Sequence, residues 1–332
     1  MLCQVLAVLF ATEVALAAPL ARVANNTCTN PQVRKACHTL SRDEKMAYKD
    51  AELCLMSKPA TLGLPEIAHS AGQFLPFHRL YVRAHEHALF QECGYTGAQP
   101  YWDETLDAGA FSQAIIFDDD VGFGGDGVGP SKCIQTGPFA NYINSLGPGY
   151  NLTDHCIQRQ INDTQSRYAA KKFEDACLAK DTFLQFWPCL EGTPHGAGHA
   201  GVGAQMLNGI SSPGDPLFFL HHAWLDRMWA KWQDEDPEVR LYEIGDNNRR
   251  LPEFGGGPPP DGTGGFDPPI SFDEISGGGF VRPENVPEPV VVGDLGNTTM
   301  LNQVLQMYGI IPNSTIAEVM NTWSAILCYG YE

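Results

Sequence analysis

A mainly α-helical fold is predicted by three stretches of the 332-residue chain. Ser41-x-x-Glu44 has the form of a capping box and opens a run with apolar or aromatic residues at Met46, Ala47, Ala51 and Leu55, which Pro59 ends. Pro76 to Glu92 places Phe77, Leu80, Tyr81, Ala84 and Ala88 on one broad helical face, with Gly94 as the stop. Asp215 to Trp232 repeats the apolar helical pattern with aromatic residues.

The segments between these helices follow from their turn chemistry. Residues 107 to 139 are rich in Gly and Asp and read as loop; Gly122 to Gly129 lacks the Gly-Lys-Ser/Thr of a phosphate cradle. Helical patterns return at 153 to 183, from Pro194, and near Ile316 to Leu327. The Gly- and Pro-rich run 254 to 269 excludes helix and central strand. A single mainly helical domain crossed by long loops, spanning residues 28–332, accounts for this order better than two domains joined by a linker.

Thirty-nine acidic against 21 basic side chains give a formal charge of −18, which repels phosphate backbones and anionic lipid surfaces. Nucleic acid and membrane are therefore not expected partners. Residues 1–17 form an apolar run closing on the small-x-small site Ala15-Leu16-Ala17 and resemble a signal peptide, although Glu13 interrupts them and no Lys or Arg precedes. Export agrees with sequons at Asn25, Asn151, Asn162, Asn297 and Asn313. It agrees also with nine cysteines beyond the leader, Cys28, Cys37, Cys54, Cys93, Cys133, Cys156, Cys177, Cys189 and Cys328, which lack C-x-x-C spacing. Their number is odd, and their connectivity is not legible from spacing.

The chemistry lies in histidines. His195-Gly-Ala-Gly-His199 puts two imidazoles one helical turn apart, a spacing that lets both reach one metal ion. A zinc protease would need Glu directly after the first His, where Gly196 stands. Further on, His222 is followed one turn later by Asp226, placed to hold the second nitrogen of a ligating ring. His195, His199 and His222 together make a neutral nitrogen site suited to copper or zinc. His69 and His78, nine apart across Pro76, form a second group. Each group alone could be a satisfied core histidine; two in one chain, each beside an aromatic-rich helix, argue against coincidence.

The stretch from His69 through Phe74-Leu75-Pro76-Phe77-His78-Arg79 to Glu86 resembles the first copper motif of the tyrosinase and catechol oxidase family. Asp215-Pro216 through His222 to Asp226 resembles the second, and Pro100-Tyr101-Trp102-Asp103 and Glu191-Gly192-Thr193-Pro194-His195 are similar to further family segments. The resemblance runs from about residue 28 to the C-terminus. It implies a central four-helix bundle with a binuclear type 3 copper site, each copper on three histidines, and oxidation of a small phenol by dioxygen. On this resemblance His69 and His78 would bind the first copper and His195, His199 and His222 the second, while His221 matches a non-ligand position. Glu191 resembles a glutamate that holds a water near the metals and assists phenol deprotonation. Gly196, where efficient monophenol hydroxylases carry Asn, shifts the expectation toward o-diphenols.

The resemblance fails at one point. The family places a third ligand for the first copper upstream of the His69 position, yet residues 44 to 68 contain no histidine. His38 precedes the Ser41 cap; His85 lies about 10 Å up the helix from His78, and His87 points to the opposite face. The segment bearing that ligand is inferred to be lost, in the protein itself or at a misassigned exon boundary. Two rivals to the oxidase follow: a degenerate, non-catalytic copper- or oxygen-binding protein, and a zinc hydrolase using His195, His199 and His222 alone.

Overall fold

A computed structural model describes residues 28–58, 68–248 and 297–332. The leader, the Asn25 sequon, Pro59 and the 254 to 269 run lie outside them. The described residues form helices α1 (Arg42–Met56), α2 (Phe74–Cys93), α3 (Asp163–Ser166), α4 (Lys171–Leu178), α5 (Phe183–Leu190), α6 (Gly196–Val202), α7 (Leu217–Asp234), α8 (Pro237–Arg240) and α9 (Ile316–Val319). The strands are short: β1 (Gln32–Arg34), β2 (Gly127–Val128), β3 (Cys133–Ile134), β4 (Val304–Leu305), β5 (Ser314–Thr315) and β6 (Tyr329–Tyr331). They pair two by two, β1 parallel to β6 and the other pairs antiparallel.

The capping box forms as expected: Ser41 Oγ accepts from the Glu44 amide at 3.2 Å, and Glu44 Oε2 accepts from the Ser41 amide at 2.8 Å. Helix α2 starts two residues before Pro76, which the first turn tolerates because its amides have no intrahelical partner. It ends where Gly94 takes the left-handed conformation at φ 69°. Two other helical expectations are corrected. Of the 153 to 183 pattern only 163–166, 171–178 and Phe183, the first residue of α5, are α-helical; its start is held out of helix because Cys156 is tied to Cys133 and the backbone of His155 pairs with Asn144. Of Ile316 to Leu327 only α9 is helical, since Asn321 Oδ1 captures the Trp323 amide in a side-chain-closed turn.

The core is built on α2 and α7, which run antiparallel: His85 stacks on Phe219, His78 on His222, and Arg79 reaches Asp226 and Gln233. Trp224, Trp229 and Trp232 of α7 are fully buried, and truncating one such side chain typically costs about 3–5 kcal/mol. Phe186 of α5 stacks on Trp232 with centroids 4.8 Å apart. The N-terminus of α7 is anchored by Arg159, which grips Asp215 with two bonds of 2.8 and 3.0 Å, while Asp215 Oδ1 also accepts from the Leu217 amide. This anchor fixes the axial position of the histidines one turn further on.

Among the described residues four disulfides complete the frame: Cys28–Cys328, Cys54–Cys93, Cys133–Cys156 and Cys177–Cys189. Cys37 is the unpaired thiol of the described residues, and it is buried. Among the described residues no helix is long and apolar enough to cross a membrane.

Candidate metal centre

Helices α5 and α6 are one continuous segment joined by a π-helical turn over Glu191–His195. Pro194, read from sequence as a helix start, lies inside that turn. Its missing N–H cannot serve the α-helical bond, and the wider turn accommodates the gap. His195 therefore projects from the end of the π turn and His199 from α6, while α7 brings His222 and α2 brings His78. His69 precedes α2, next to Ser70 with its positive φ of 53°.

Three rings are pinned in the same way. His78 Nδ1 donates to the Phe74 carbonyl at 2.8 Å, His195 Nδ1 to the Glu191 carbonyl at 3.1 Å, and His199 Nδ1 to the Met206 carbonyl. A carbonyl can only accept, so each Nδ1 carries the proton and each Nε2 presents a lone pair. His78 Nε2 and His195 Nε2 are buried with no partner. His199 Nε2 and His222 Nε2 approach to 3.4 Å, matching the roughly 3.3 Å between two nitrogens that share one tetrahedral metal ion. Burial pushes His78, His195, His199, His221 and His222 below the usual imidazole range, His199 and His221 to about 3. Neutral, oriented, buried imidazoles with unanswered lone pairs fit a metal ion.

The first-half candidates lie alongside. The His69 and His78 rings are 5.0 Å apart between centroids, His69 is 5.6 Å from His195, and His78 stacks on His222 at 4.1 Å. Among the described residues no further histidine joins this pair. His85 bonds to Gln99 at 2.9 Å and Glu52 at 3.3 Å, His38 is exposed in a 3-10 turn, and His155 bonds to the Thr153 carbonyl. Glu191 bridges the halves: its Oε1 accepts from the Ser70 amide at 2.9 Å, tying the His69 turn to the π turn.

One expectation fails. Asp226 does not hold His222; it turns to Arg34, Arg79, Tyr329 and Tyr331, and His222 Nδ1 has no partner. The carboxylate–imidazole pair of the centre is Glu104 with His221, at 2.6 Å. Sequence reasoning passed over it because the partners are 117 residues apart. The only local signal was a second histidine beside His222.

Residues 31–235 match the family profile described as the common central domain of tyrosinase. The chain belongs to the tyrosinase family. The tyrosinase ustQ of Aspergillus flavus is 34% identical to it over 244 residues, covering 65% of this chain and 68% of that one. The N-acetyl-6-hydroxytryptophan oxidase ivoB of Emericella nidulans is 27% identical over 301 residues, 69% of this chain and 82% of its own. A mutant polyphenol oxidase from Thermothelomyces thermophila has a similar fold, with a TM-score of 0.69 at 26% identity over 91% of this chain and 89% of that one. The tyrosinase domain is thus that of a type 3 copper oxidase family, and it carries a buried cluster of His195, His199, His221 and His222. The family implies a phenolic substrate and dioxygen.

Proposed function

We propose that this tyrosinase-family protein is an exported copper phenol oxidase that converts o-diphenols to o-quinones. The observation that carries the reading is the set of buried imidazoles that face one another, His78 from α2, His195 from the π turn and His199 from α6, each pinned through Nδ1, with His222 of α7 stacked on His78. His195, His199 and His222 would hold the second copper, and His69 and His78 the first. When bound, the copper pair supplies the redox capacity that couples oxidation of two o-diphenols to reduction of one dioxygen to two waters. The protein does the rest. The neutral rings bind metal without a charge penalty, Phe74 and Phe218 pack against His78 and His222 and keep water out, and α7 is held in register by Arg159. Glu191 is the base for the phenol proton, positioned by its bond to the Ser70 amide. Gly196 offers no side-chain amide beside His195, which supports a diphenol rather than a monophenol substrate. A phenolic substrate also agrees with the name of the ivoB relative. Export is supported by the leader-like residues 1–17 and the four disulfides.

A second reading, a copper-binding protein without turnover, is favoured by one observation: the first half offers two imidazoles rather than three. Metal analysis of the purified protein together with oxygen uptake on catechol separates the readings. Two copper ions per chain with quinone formation support the oxidase. One copper and no uptake identify the degenerate protein, and zinc in place of copper would point to the hydrolase.

A further inference from the structure

His69 reaches the centre from a turn ahead of α2, so its position is set by whatever holds that turn. The next residue, Ser70, takes a left-handed φ of 53°, which a residue with a side chain keeps only where its surroundings hold it. Glu191 holds the Ser70 amide at 2.9 Å. The Ser70 carbonyl is held from the other side, where Asn247 Nδ2 donates to it at 2.9 Å. The main chain of Asn247 completes the grip: its carbonyl accepts from the Gly72 amide at 2.8 Å and from the Thr299 hydroxyl at 2.9 Å.

Residues 243–248 lie hard against this turn. A Cβ on Gly72 would sit 1.8 Å from the Gly245 carbonyl oxygen, so the two backbones are in direct contact and only glycine fits between them. The segment is itself anchored at both ends. Glu243 Oε1 accepts from the Phe183 amide at 2.9 Å, at the start of α5, whose continuation carries Glu191 and His195. The Asn248 amide donates to the Asn297 carbonyl at 2.9 Å, and the Asn248 carbonyl accepts from Gln73 Nε2 at 3.0 Å. A closed circuit results, from Ser70 through Glu191 to the π turn, back along α5 to Glu243, and through Asn247 to Ser70 again. His69 is thereby referenced to His195 of the other half, whose ring centroid lies 5.6 Å from its own.

We propose that Asn247 is a positioning residue for the first metal, holding His69 in place by clamping the Ser70 and Gly72 peptides. The proposal rests on the copper reading above, in which His69 is one of two imidazoles of the first half. Two ligands compensate for a displaced member less well than three, so the grip on this turn sets how well the first half holds metal. The second half is independent of it. His195 and His199 are pinned by the Glu191 and Met206 carbonyls, so loss of the clamp is felt in one half of the centre and not in the other.

The test uses the full chain, freed of metal and titrated with Cu(II) against a competing chelator, with His69→Gln to mark the class of site to which His69 belongs. Asn247→Asp keeps the shape of the side chain but puts an oxygen that repels the Ser70 carbonyl in place of the donor. It is expected to lose on the order of tenfold in affinity at the His69 class, with less than about a twofold change at the other. Equal loss at both classes, or none at either, overturns the proposal. Coupling of this kind is reciprocal, so in the wild type filling the His69 class should slow hydrogen exchange of the Gly72 amide on the order of tenfold. Exchange unchanged by copper overturns the proposal even if Asn247→Asp does not fold. A wild type that takes up a single copper, or none, overturns the copper reading of the first half along with it, whereas two coppers held equally well by wild type and Asn247→Asp overturn only the role of Asn247.

Discussion

A buried carboxylate persists as an anion only when its charge is answered, and Asp226 is answered four times. Arg79 donates to Oδ1, while Arg34 and the hydroxyls of Tyr329 and Tyr331 donate to Oδ2. Burial works to raise its pKa, but Arg79 and Arg34, helped by the two hydroxyls, hold it below the usual range. Arg34 also lies over the Tyr329 ring at 3.4 Å and reaches Glu86 at 3.3 Å. Asp226→Ala leaves two guanidinium groups buried without this partner, and breaking such a pair costs about 3–5 kcal/mol. Urea unfolding followed by tryptophan fluorescence should record that loss; a change below about 1 kcal/mol would show the network to be dispensable. From sequence, Asp226 stood one turn after His222 and looked like its clamp. What redirects it is Arg34, 192 residues upstream, which no local spacing reveals. The candidate ligands His195 and His199 were legible for the opposite reason, since their relation is carried by four consecutive peptide units.

At the scale of elements, the segment from α5 to α6 shows how a local irregularity aims a site. The π turn separates Glu191 from His195 so that the first faces the Ser70 amide and the second faces the other rings. The glycines of α6 then let α7 approach until His221 touches backbone. Gly198→Ala improves helix propensity by about 1 kcal/mol, yet its methyl overlaps His221 and Glu104, and overpacking of this kind costs about 1–3 kcal/mol. The variant should keep its far-ultraviolet circular dichroism and lose at least tenfold in Cu(II) affinity by competitive chelator titration; unchanged affinity would mean that the pair can shift aside freely. Capping chemistry made the start of α1 and the end of α2 readable from Ser41, Glu44 and Gly94. The π turn was not readable, because a proline that begins one helix and a proline tolerated within another look the same in a string of residues.

For the whole molecule, five imidazoles buried in neutral form link folding to protons. Each of His78, His195, His199, His221 and His222 has a folded pKa below that of the unfolded chain, mainly because burial disfavours the charged ring. The unfolded state then binds more protons below about pH 6.5. The stability these rings contribute is complete above that value and drains away as pH falls toward the folded values, about 3 for His199 and His221. Five such groups give a slope of up to about 7 kcal/mol per pH unit, against a total stability of about 5–15 kcal/mol. The metal-free protein is therefore expected to lose its urea midpoint steeply between pH 6.5 and about 5, against the smaller opposing contribution of Glu104, whose carboxyl is pushed well above the usual range by burial; a flat midpoint across that window would contradict neutral burial. The mainly helical class was legible from periodicity, but the disulfide pattern was not, since cysteine spacing does not say which loops return to meet. Cys28 and Cys328 close a covalent ring around 300 residues of sequence. A single backbone cut anywhere within that ring leaves one covalent molecule, so a nicked chain differs in mass from an intact one only by the water added at the cut until a reductant parts the pieces.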